Sequence, residues 1–354
     1  MDLSKLTKNE LLTKCNELSI KKCSSKNKSQ LIELIEKELN SNNTIINEVP
    51  IQILEHNESK TFKFIDLFCG IGSFHYSFKK LGWECVMSCD IDNAVKETYN
   101  ANYNLLPLDD ITEIDPKNIL NYDILCAGFP CQPFSQCGQH KGFSDERGTL
   151  FFNIMKFVEY HKPKIIILEN VQGLLSHDKG NTFKKIRSDI EKENYIITYK
   201  ILKCSDYGLP QMRKRLFIIG VKNNEPLVKN IDKLLNLDEY KKNVTLSTFF
   251  NKNFEKNIAY TIRCGGRNSP INDKHNWDGY IVDKKEYRLT LEDCLKLQGF
   301  DENFKLCGNK NNKWKQLGNT IPTIFTELIG LNIQKYIHHS WIILKVWGSE
   351  GLYF

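Results

Sequence analysis

The sequence has no long hydrophobic run. None of its 354 residues fall in a stretch approaching the ~20 consecutive apolar residues of a membrane-spanning helix, and the polar N-terminus does not resemble a signal peptide. With 41% hydrophobic and 26% charged residues, the composition is that of a soluble globular protein. We therefore expect a cytoplasmic protein, associated with the nucleoid if the source is bacterial, and no membrane partner.

Cysteine pairs at metal-binding spacing are also missing. Twelve cysteines occur, but none forms a C-x-x-C pair, and no histidine lies at zinc-ligand spacing beside the nearest ones. We expect most of these cysteines to be reduced, buried thiols, and we predict no metal site. The lysine of a triphosphate-binding loop is absent as well, which favours a nucleoside cofactor without a triphosphate.

Net charge is small, at +6, so basic residues matter only where they cluster. One cluster lies in residues 1–28, with seven lysines against three acidic residues. Apolar residues at helical spacing predict two short helices within residues 3–39. The segment 1–40 resembles the SAP helix–extended–helix DNA-binding motif, without the glycine common in its turn. A helical hairpin used for packing or solubility is the alternative. Residues 41–60 are Asn-rich and predict a linker.

Short apolar runs alternate with amphipathic helices from Thr61 onward. This alternation predicts a doubly wound α/β sheet of parallel strands, within a catalytic and cofactor-binding domain at 61–222. The expected strands are 62–68, 84–89, 123–128, 164–170 and 215–221. Beyond them we expect three further regions: a small, irregular or β-rich module with a basic face (223–287), helices that complete the domain (288–338) and a tail of unknown role (339–354).

The first two strands end in residues suited to an adenosine-like ligand. Ligands of open parallel sheets bind beyond the carboxyl ends of the strands. In "DLFCGIGSF", Gly70 and Gly72 allow a tight turn whose N–H groups a ligand can approach, although the third glycine of the dinucleotide fingerprint is missing. Asp90 stands about 20 residues further on, where an acid binds ribose hydroxyls. Asp110 and Ile111 are then placed to contact an adenine.

The next two strands end in a cysteine and a carboxylate. In "GFPCQPFS", Gly128 permits a sharp turn and a proline fixes φ, so that Cys131 is held in place. Glu169 ends the fourth strand, where a buried carboxylate needs a partner. Together they suggest covalent catalysis with acid–base help, the alternative for Cys131 being a buried thiol near a turn. The motif "QMRKR" adds two basic side chains to this rim, Arg213 and Arg215.

Six motifs in one order resemble the DNA (cytosine-5) methyltransferases of bacterial restriction–modification systems. They are "DLFCGIG", "GFPCQPFS", "ENV", "QMRKR", "RLTLEDCLKLQGF" and "QLGNTIP", spread over roughly residues 62–338 apart from the basic module. The resemblance implies a Rossmann-like S-adenosylmethionine-dependent methyltransferase fold. It also implies S-adenosylmethionine as cofactor and carbon 5 of cytosine in double-stranded DNA as the methyl acceptor.

The resemblance also implies roles for individual residues. Cys131 is expected to attack carbon 6 of cytosine, and Glu169 to hold and protonate N3. Arg215, with Arg213, is expected to steady the base and the loop that carries the cysteine. The family more often has glutamate where this chain has Asp90. The cofactor-binding residues implied in this way are Phe68, Gly70, Gly72, Asp90, Ile91, Asp110, Ile111, Pro130 and Asn319.

DNA contacts follow from the same resemblance. The target cytosine must be flipped out of the duplex, because its carbon 6 is stacked there. Residues 132–149 are expected to form a lid over the flipped base, and the module at 223–287 to read the major groove. A cognate restriction endonuclease is a possible partner, and a monomer is expected. The expected DNA-binding residues are Gln132, Ser135, Arg263, Gly265, Gly266 and Arg267.

Other functions remain as alternatives. A tRNA cytosine-5 methyltransferase would use the same chemistry with another recognition surface. A catalytically idle DNA-binding scaffold would lack Cys131, Glu169 or Arg215, and all three are present. A nicotinamide-dependent oxidoreductase would leave the cysteine and the carboxylate without a purpose, and a thiol hydrolase would need a histidine partner in a recognisable context.

Overall fold

The structure is a computed structural model that describes residues 7–17, 26–35, 61–130 and 149–348, without the side chains of 13–17, 149 and 338–348. Cys131, Gln132 and Ser135 lie outside the described residues, as do nearly all of the expected lid and the linker at 41–60. The chain divides into two compact units, Met1–Lys60 and Thr61–Phe354.

The described part of the first unit contains two capped helices, α1 (Lys8–Glu17) and α2 (28–35). Before α1, the Thr7 N–H donates to Glu10 Oε2 at 2.7 Å and the Glu10 N–H donates back to Thr7 Oγ1 at 3.4 Å. Before α2, Asn27 and Gln30 exchange the same pair of bonds. These reciprocal bonds satisfy backbone donors that a helix start leaves open. Both helices lie where the apolar spacing predicts them.

The second unit is built on a six-stranded sheet with strand order β2-β1-β3-β4-β6-β5. Strands β1 to β4 are parallel to their neighbours within that set, as predicted. The strands are β1 (Lys63–Leu67), β2 (Glu84–Cys89), β3 (Ile124–Gly128), β4 (Ile165–Asn170), β5 (Tyr195–Lys203) and β6 (Lys214–Lys222).

Helices cover both faces of this sheet, which confirms the doubly wound α/β arrangement. Successive residues of β1 face opposite sides: Phe64 lies in one hydrophobic cluster with Phe325, and Ile65 lies in another with Ile154. The helices of this unit are α3 (Ser73–Lys80), α4 (Asn93–Tyr103), α5 (Thr149–His161), α6 (Asn181–Lys192), α7 (Ile231–Leu234), α8 (Leu246–Phe250), α9 (Leu291–Leu297), α10 (Lys310–Asn319) and α11 (Thr323–Gly348).

Two features of the sheet correct the expectation of an all-parallel arrangement. β6, predicted as a parallel strand at 215–221, is antiparallel to β4. β5 was not predicted, and it is an edge strand antiparallel to β6. Only residues 204–213 separate β5 from β6, whereas a parallel crossover connection takes a dozen or more residues, so the two strands pair antiparallel.

The region expected as a separate module contributes to two cores. Leu227 and Leu234 pack in the same cluster as Phe64, whereas Phe254 and Trp277 pack in a third cluster with Trp314 of α10. The module also contains a hairpin of β7 (Gly279–Val282) and β8 (Lys285–Arg288). The module boundaries themselves stay a prediction.

The helix α11 runs through Gly348, so residues 339–348 of the expected tail belong to a helix. No helix in the described ranges combines the length and apolar character that a membrane crossing requires. Within the same ranges, no group of three or more His, Cys, Asp or Glu side chains is arranged to hold a metal ion. Of the eight cysteines whose side chains the structure describes, five are buried, and all eight are free.

Candidate active site

The buried Glu169 and the half-buried Arg215 form an ion pair at the end of β4. Arg215 Nε lies 2.7 Å from Glu169 Oε1, and the side chains are 15% and 9% exposed. The two strands β4 and β6 are neighbours, and the partner of Glu169 in the register, Phe217, lies close along the chain to Arg215. Burial raises the pKa of Glu169, and the nearby positive charges of Arg215 and Arg213 only partly oppose it. The Glu169 carboxyl group therefore keeps its proton to a higher pH than an exposed glutamate does.

A glycine packs closely beside this carboxyl group. Gly128 at the end of β3 is the register partner of Glu169. A Cβ placed on Gly128 would lie 3.4 Å from Glu169 Oε2 and 3.1 Å from Ile321 Cδ1. Any larger side chain here would extend against the carboxylate oxygen. Only a glycine at this position therefore lets β3 lie so close to the Glu169 carboxyl group.

Asn170, which the sequence reading did not single out, fixes the chain that leads to Cys131. Its buried Nδ2 donates to the Phe129 carbonyl at 2.9 Å, two residues before the cysteine. Its Oδ1 accepts the Val171 N–H at 2.8 Å. Pro130 is the last described residue before the gap and is exposed. The neighbouring strand thus holds the entry to the predicted nucleophile segment through a side chain of the "ENV" motif.

The turn after β1 carries the predicted glycines, and they serve different purposes. Phe68, Gly70 and Gly72 have φ values of 54°, 53° and 85°. A Cβ on Gly72 would lie 2.4 Å from Tyr103 Cε2, whereas a Cβ on Gly70 would meet nothing within 4 Å. Gly72 is therefore required by packing, and Gly70 borders open space.

Asp90 holds this turn through its two carboxylate oxygens. Oδ2 accepts the Gly70 N–H and Oδ1 accepts the Asp92 N–H, both at 3.0 Å. Burial raises the pKa of Asp90, and these backbone bonds partly oppose the rise. Next to it, Ile91 is 74% exposed, and Leu108, paired with Cys89, is 42% exposed. The edge of the turn thus combines an acid with exposed apolar surface, although Leu108 was not among the predicted residues.

Asp110 and Ile111 lie next to each other but in different surroundings. The Asp110 carboxylate is exposed and accepts the Thr112 N–H at 2.9 Å, which starts a short helical turn. Ile111 is 3% exposed and packs in the core cluster that contains Leu67 and Met87. The structure therefore assigns the Ile111 side chain to the core, and its contact with an adenine stays a prediction.

Comparison with known proteins decides the family. The model of the C-5 cytosine-specific DNA methylase family matches residues 62–264 and 238–335. The chain is 38% identical over 308 residues to the type II methyltransferase M.DsaV of Dactylococcopsis salina, covering 79% of this chain and 88% of that protein. It is 32% identical over 306 residues to M.HhaI of Haemophilus parahaemolyticus, covering 77% and 94%. The chain belongs to the C-5 cytosine-specific DNA methylase family.

Solved structures share the fold. S. pombe Dnmt2 methyltransferase aligns with a TM-score of 0.57 at 19% identity, over 77% of this chain and 99% of that one. A putative DNA modification methyltransferase encoded within an E. coli prophage aligns with a TM-score of 0.61 at 19% identity, over 78% and 100%. Together with the family match, this makes the protein a DNA (cytosine-5) methyltransferase with the methyltransferase fold that its motifs imply.

The methyltransferase's two motif arginines have different partners. Arg215 bonds Glu169, whereas Arg213 is 1% exposed and donates to two carbonyl oxygens, Ile262 O at 3.0 Å and Gly318 O at 2.8 Å. The Arg213 side chain thus bonds backbone carbonyls, and its expected role in steadying the base stays a prediction. Burial lowers the pKa of Arg213 to about 9.

Residues 263–267, here called the arginine–glycine segment, hold the predicted DNA-binding residues of the module. Arg263, Gly265 and Gly266 are exposed, and the Arg267 guanidinium lies 4.4 Å from the ring centre of Trp314. The Gly265 carbonyl accepts the indole N–H of Trp277 at 2.8 Å. One end of the segment is thus fixed on the third core cluster.

Asn319, at the end of α10, contacts this segment. Its Oδ1 accepts a bond from Cys264 Sγ at 2.9 Å. Two buried glutamines, which the sequence analysis did not single out, hydrogen-bond the backbone next to this contact. Gln211 accepts the Ile262 N–H at 3.2 Å, and Gln298 donates to the Leu317 carbonyl at 2.6 Å. Their only sequence signal is a polar residue within the "QMRKR" and "LQGF" motifs.

Proposed function

We propose that this methyltransferase transfers a methyl group to carbon 5 of a flipped-out cytosine at a specific site in double-stranded DNA. The observation that carries the proposal is the ion pair between the buried Glu169 and Arg215, against which Gly128 packs closely. This pair lies at the same sheet edge as the Gly70–Asp90 turn, because the parallel strands β1, β3 and β4 all end there. An acid and a cofactor turn at one edge suit a transfer between two adjacent ligands.

The cofactor turn fits S-adenosylmethionine. The open space at Gly70 admits a ligand against the backbone, Asp90 offers a carboxylate for ribose hydroxyls, and Ile91 offers apolar surface to a base. S-adenosylmethionine, when bound, supplies a methyl group activated by a sulfonium. We assign its binding to the predicted set Phe68, Gly70, Gly72, Asp90, Ile91, Asp110, Ile111, Pro130 and Asn319.

The chain's own residues would perform the cytosine chemistry. The Cys131 thiolate forms a bond to carbon 6, and Glu169 holds a proton at N3, so that the electron pair moves to carbon 5. The raised pKa of Glu169 favours the protonated form that this step needs. Arg215 holds the carboxyl group through this ion pair and would steady the base. After carbon 5 is methylated, its proton is lost to a base, the sulfur–carbon 6 bond breaks to return the thiolate, and the N3 proton returns to Glu169.

Recognition of DNA is assigned to the module at 223–287 with Gln132 and Ser135. The exposed Arg263 and the two following glycines suit close approach to a phosphate backbone, because glycine leaves backbone N–H groups accessible. The lysine-rich residues 1–40 are proposed as a second DNA contact. Flipping the base costs a few kcal/mol, which these contacts would offset.

The cellular setting is also a proposal. The similar proteins are named type II methyltransferases, so we infer that this enzyme modifies DNA in a restriction–modification system, with a cognate endonuclease acting on the same site. We expect a cytoplasmic monomer, because one protein acts on one flipped base at a time. Gel filtration with light scattering tests the monomer.

Bisulfite sequencing of plasmid DNA from methylation-deficient cells that express the chain tests the function. Protected cytosines within one short recurring sequence are the expected result.

The C131S variant is expected to bind DNA and cofactor and to protect no cytosine. C307S serves as the matched control, since the described contacts of Cys307 are made by its backbone, and it is expected to protect the same sites. Full conversion by a soluble protein that binds S-adenosylmethionine would contradict the proposal, and methylation of tRNA instead would establish the alternative substrate.

A further inference from the structure

Arg213 connects two segments that the proposed function assigns to different ligands. One of its bonds goes to the carbonyl of Ile262, directly before the arginine–glycine segment proposed to face DNA. The other goes to the carbonyl of Gly318, directly before Asn319, which is proposed to face the cofactor. The guanidinium donates both bonds from within the core, at 1% exposure. We call this arrangement the Arg213 junction.

Two further contacts bring the same segments together. A Cβ on Gly318 would lie 2.4 Å from the Cys264 nitrogen and 2.6 Å from the Arg263 carbonyl carbon. This spacing shows that only a glycine lets the backbones approach so closely. Next to it, Cys264 Sγ lies 2.9 Å from Asn319 Oδ1. The arginine–glycine segment is therefore docked on the end of α10 by the Arg213 bonds, the close backbone approach and the Cys264–Asn319 bond.

Stability alone does not account for an arginine here. A fully buried guanidinium is expensive to desolvate, and well-packed apolar side chains often replace buried charges without loss of stability. Among the described residues, Arg213 Nε has no hydrogen-bond partner. The geometry instead uses what distinguishes arginine from lysine, a planar group that donates from two nitrogens to two acceptors at once.

We propose that Arg213 is a positioning residue that keeps the arginine–glycine segment docked on α10 and so pre-organises the DNA side and the cofactor side together. This inference rests on the proposed function. When every molecule is docked, binding of either ligand spends no free energy on docking the segment. When only a fraction is docked, the apparent affinity for each ligand falls by that fraction, and the first ligand restores it for the second.

The experiment measures binding rather than turnover. Calorimetric titrations would use S-adenosylhomocysteine and a short duplex carrying the methylated sequence found by bisulfite sequencing, each alone and with the other saturating. In R213K, one ammonium replaces the two-nitrogen contact. If a tenth of the molecules stay docked, each Kd rises about tenfold, and saturation with one ligand returns the Kd of the other to within about twofold of its wild-type value.

A second variant reaches the same state by another route. G318A adds a methyl group that collides with the Cys264 backbone, while alanine is favourable within a helix. It is expected to weaken the binding of both ligands and to create the same cooperativity.

Two control variants leave the junction intact. R215K, which alters the ion pair with Glu169, is expected to lower kcat without new cooperativity. K214A, at an exposed side chain between the two arginines, is expected to match the wild type.

The outcomes separate the inference from the proposed function. A gain in cooperativity in R213K and G318A over the wild type supports the inference. Unchanged Kd values in both variants, or a loss of affinity for each ligand with no gain in cooperativity, would overturn it. Failure of the wild-type protein to bind or methylate duplex DNA would instead refute the proposed function.

Discussion

The proposed cofactor edge (residues 68–72 with Asp90), here called the cofactor edge, and the proposed base edge (Glu169 with Arg215), here called the base edge, lie at the same end of the sheet but are built from different groups. At the cofactor edge, the carboxylate of Asp90 accepts bonds from two backbone N–H groups. At the base edge, the carboxylate of Glu169 bonds a guanidinium. The bonds of Asp90 shape the loop, and the contact with Arg215 influences the protonation of Glu169. Substitutions at the cofactor edge should therefore change binding or stability, and substitutions at the base edge should change the chemical step.

The largest expected effect is at Glu169. In E169Q the side chain keeps its shape and loses its titrating proton, so kcat is expected to fall about 10²–10⁴-fold. The Kd for S-adenosylhomocysteine is expected to stay at the wild-type value, because the substituted group lies at the base edge. Steady-state transfer of a labelled methyl group gives kcat, and calorimetry gives the Kd. A wild-type kcat would remove Glu169 from the mechanism.

The pH dependence of kcat sharpens the same assignment. Burial raises the pKa of Glu169, so its protonated form persists to higher pH than for an exposed glutamate. The rate is expected to fall about tenfold per pH unit as the pH rises beyond this pKa, because the proton held at N3 is lost. The residual rate of E169Q is expected to lack this decrease. An identical alkaline decrease in E169Q would assign it to another group.

Asp90 is expected to give the opposite pattern. In D90N one carboxylate oxygen becomes an amide nitrogen, which faces a backbone N–H and loses that bond. A lost bond of about 1–3 kcal/mol corresponds to a rise of about 5- to 160-fold in the Kd for S-adenosylhomocysteine, with kcat at saturating cofactor nearly unchanged. D115N is the matched control, since Asp115 caps a turn in the same way elsewhere. A fall in kcat without a change in Kd would break the comparison between the two edges.

The smallest effects distinguish the two glycines of the cofactor edge. Both have positive φ, which costs an L-residue about 1–2 kcal/mol. G72A adds a collision with Tyr103, so its free energy of unfolding is expected to fall by about 1–3 kcal/mol more than that of G70A. G70A is expected to weaken cofactor binding, since its methyl group projects into the space that the cofactor is proposed to occupy. Urea unfolding and calorimetry measure both effects, and equal destabilisation by the two variants would contradict the packing argument.

Much of the fold could be read from local patterns. The five predicted strands lie within two residues of β1, β2, β3, β4 and β6, because buried strands are short apolar runs with sharp ends. The direction of β6 and the existence of β5 were missed. Strand direction depends on how the chain returns to the sheet, and β5 is an edge strand with several exposed apolar residues, including Ile196 and Tyr199.

Which chemical groups stand at the strand ends can be read from the sequence alone, because a glycine turn, an acid or an arginine in a motif is visible residue by residue. What those groups bond depends on the folded structure. Arg213 and Arg215 look alike in "QMRKR", yet one bonds a carboxylate and the other two carbonyls from distant segments. Carbonyl oxygens are common to every residue, so no side-chain pattern marks them as partners. Their positions exist only once the long-range packing of the module on α10 is complete.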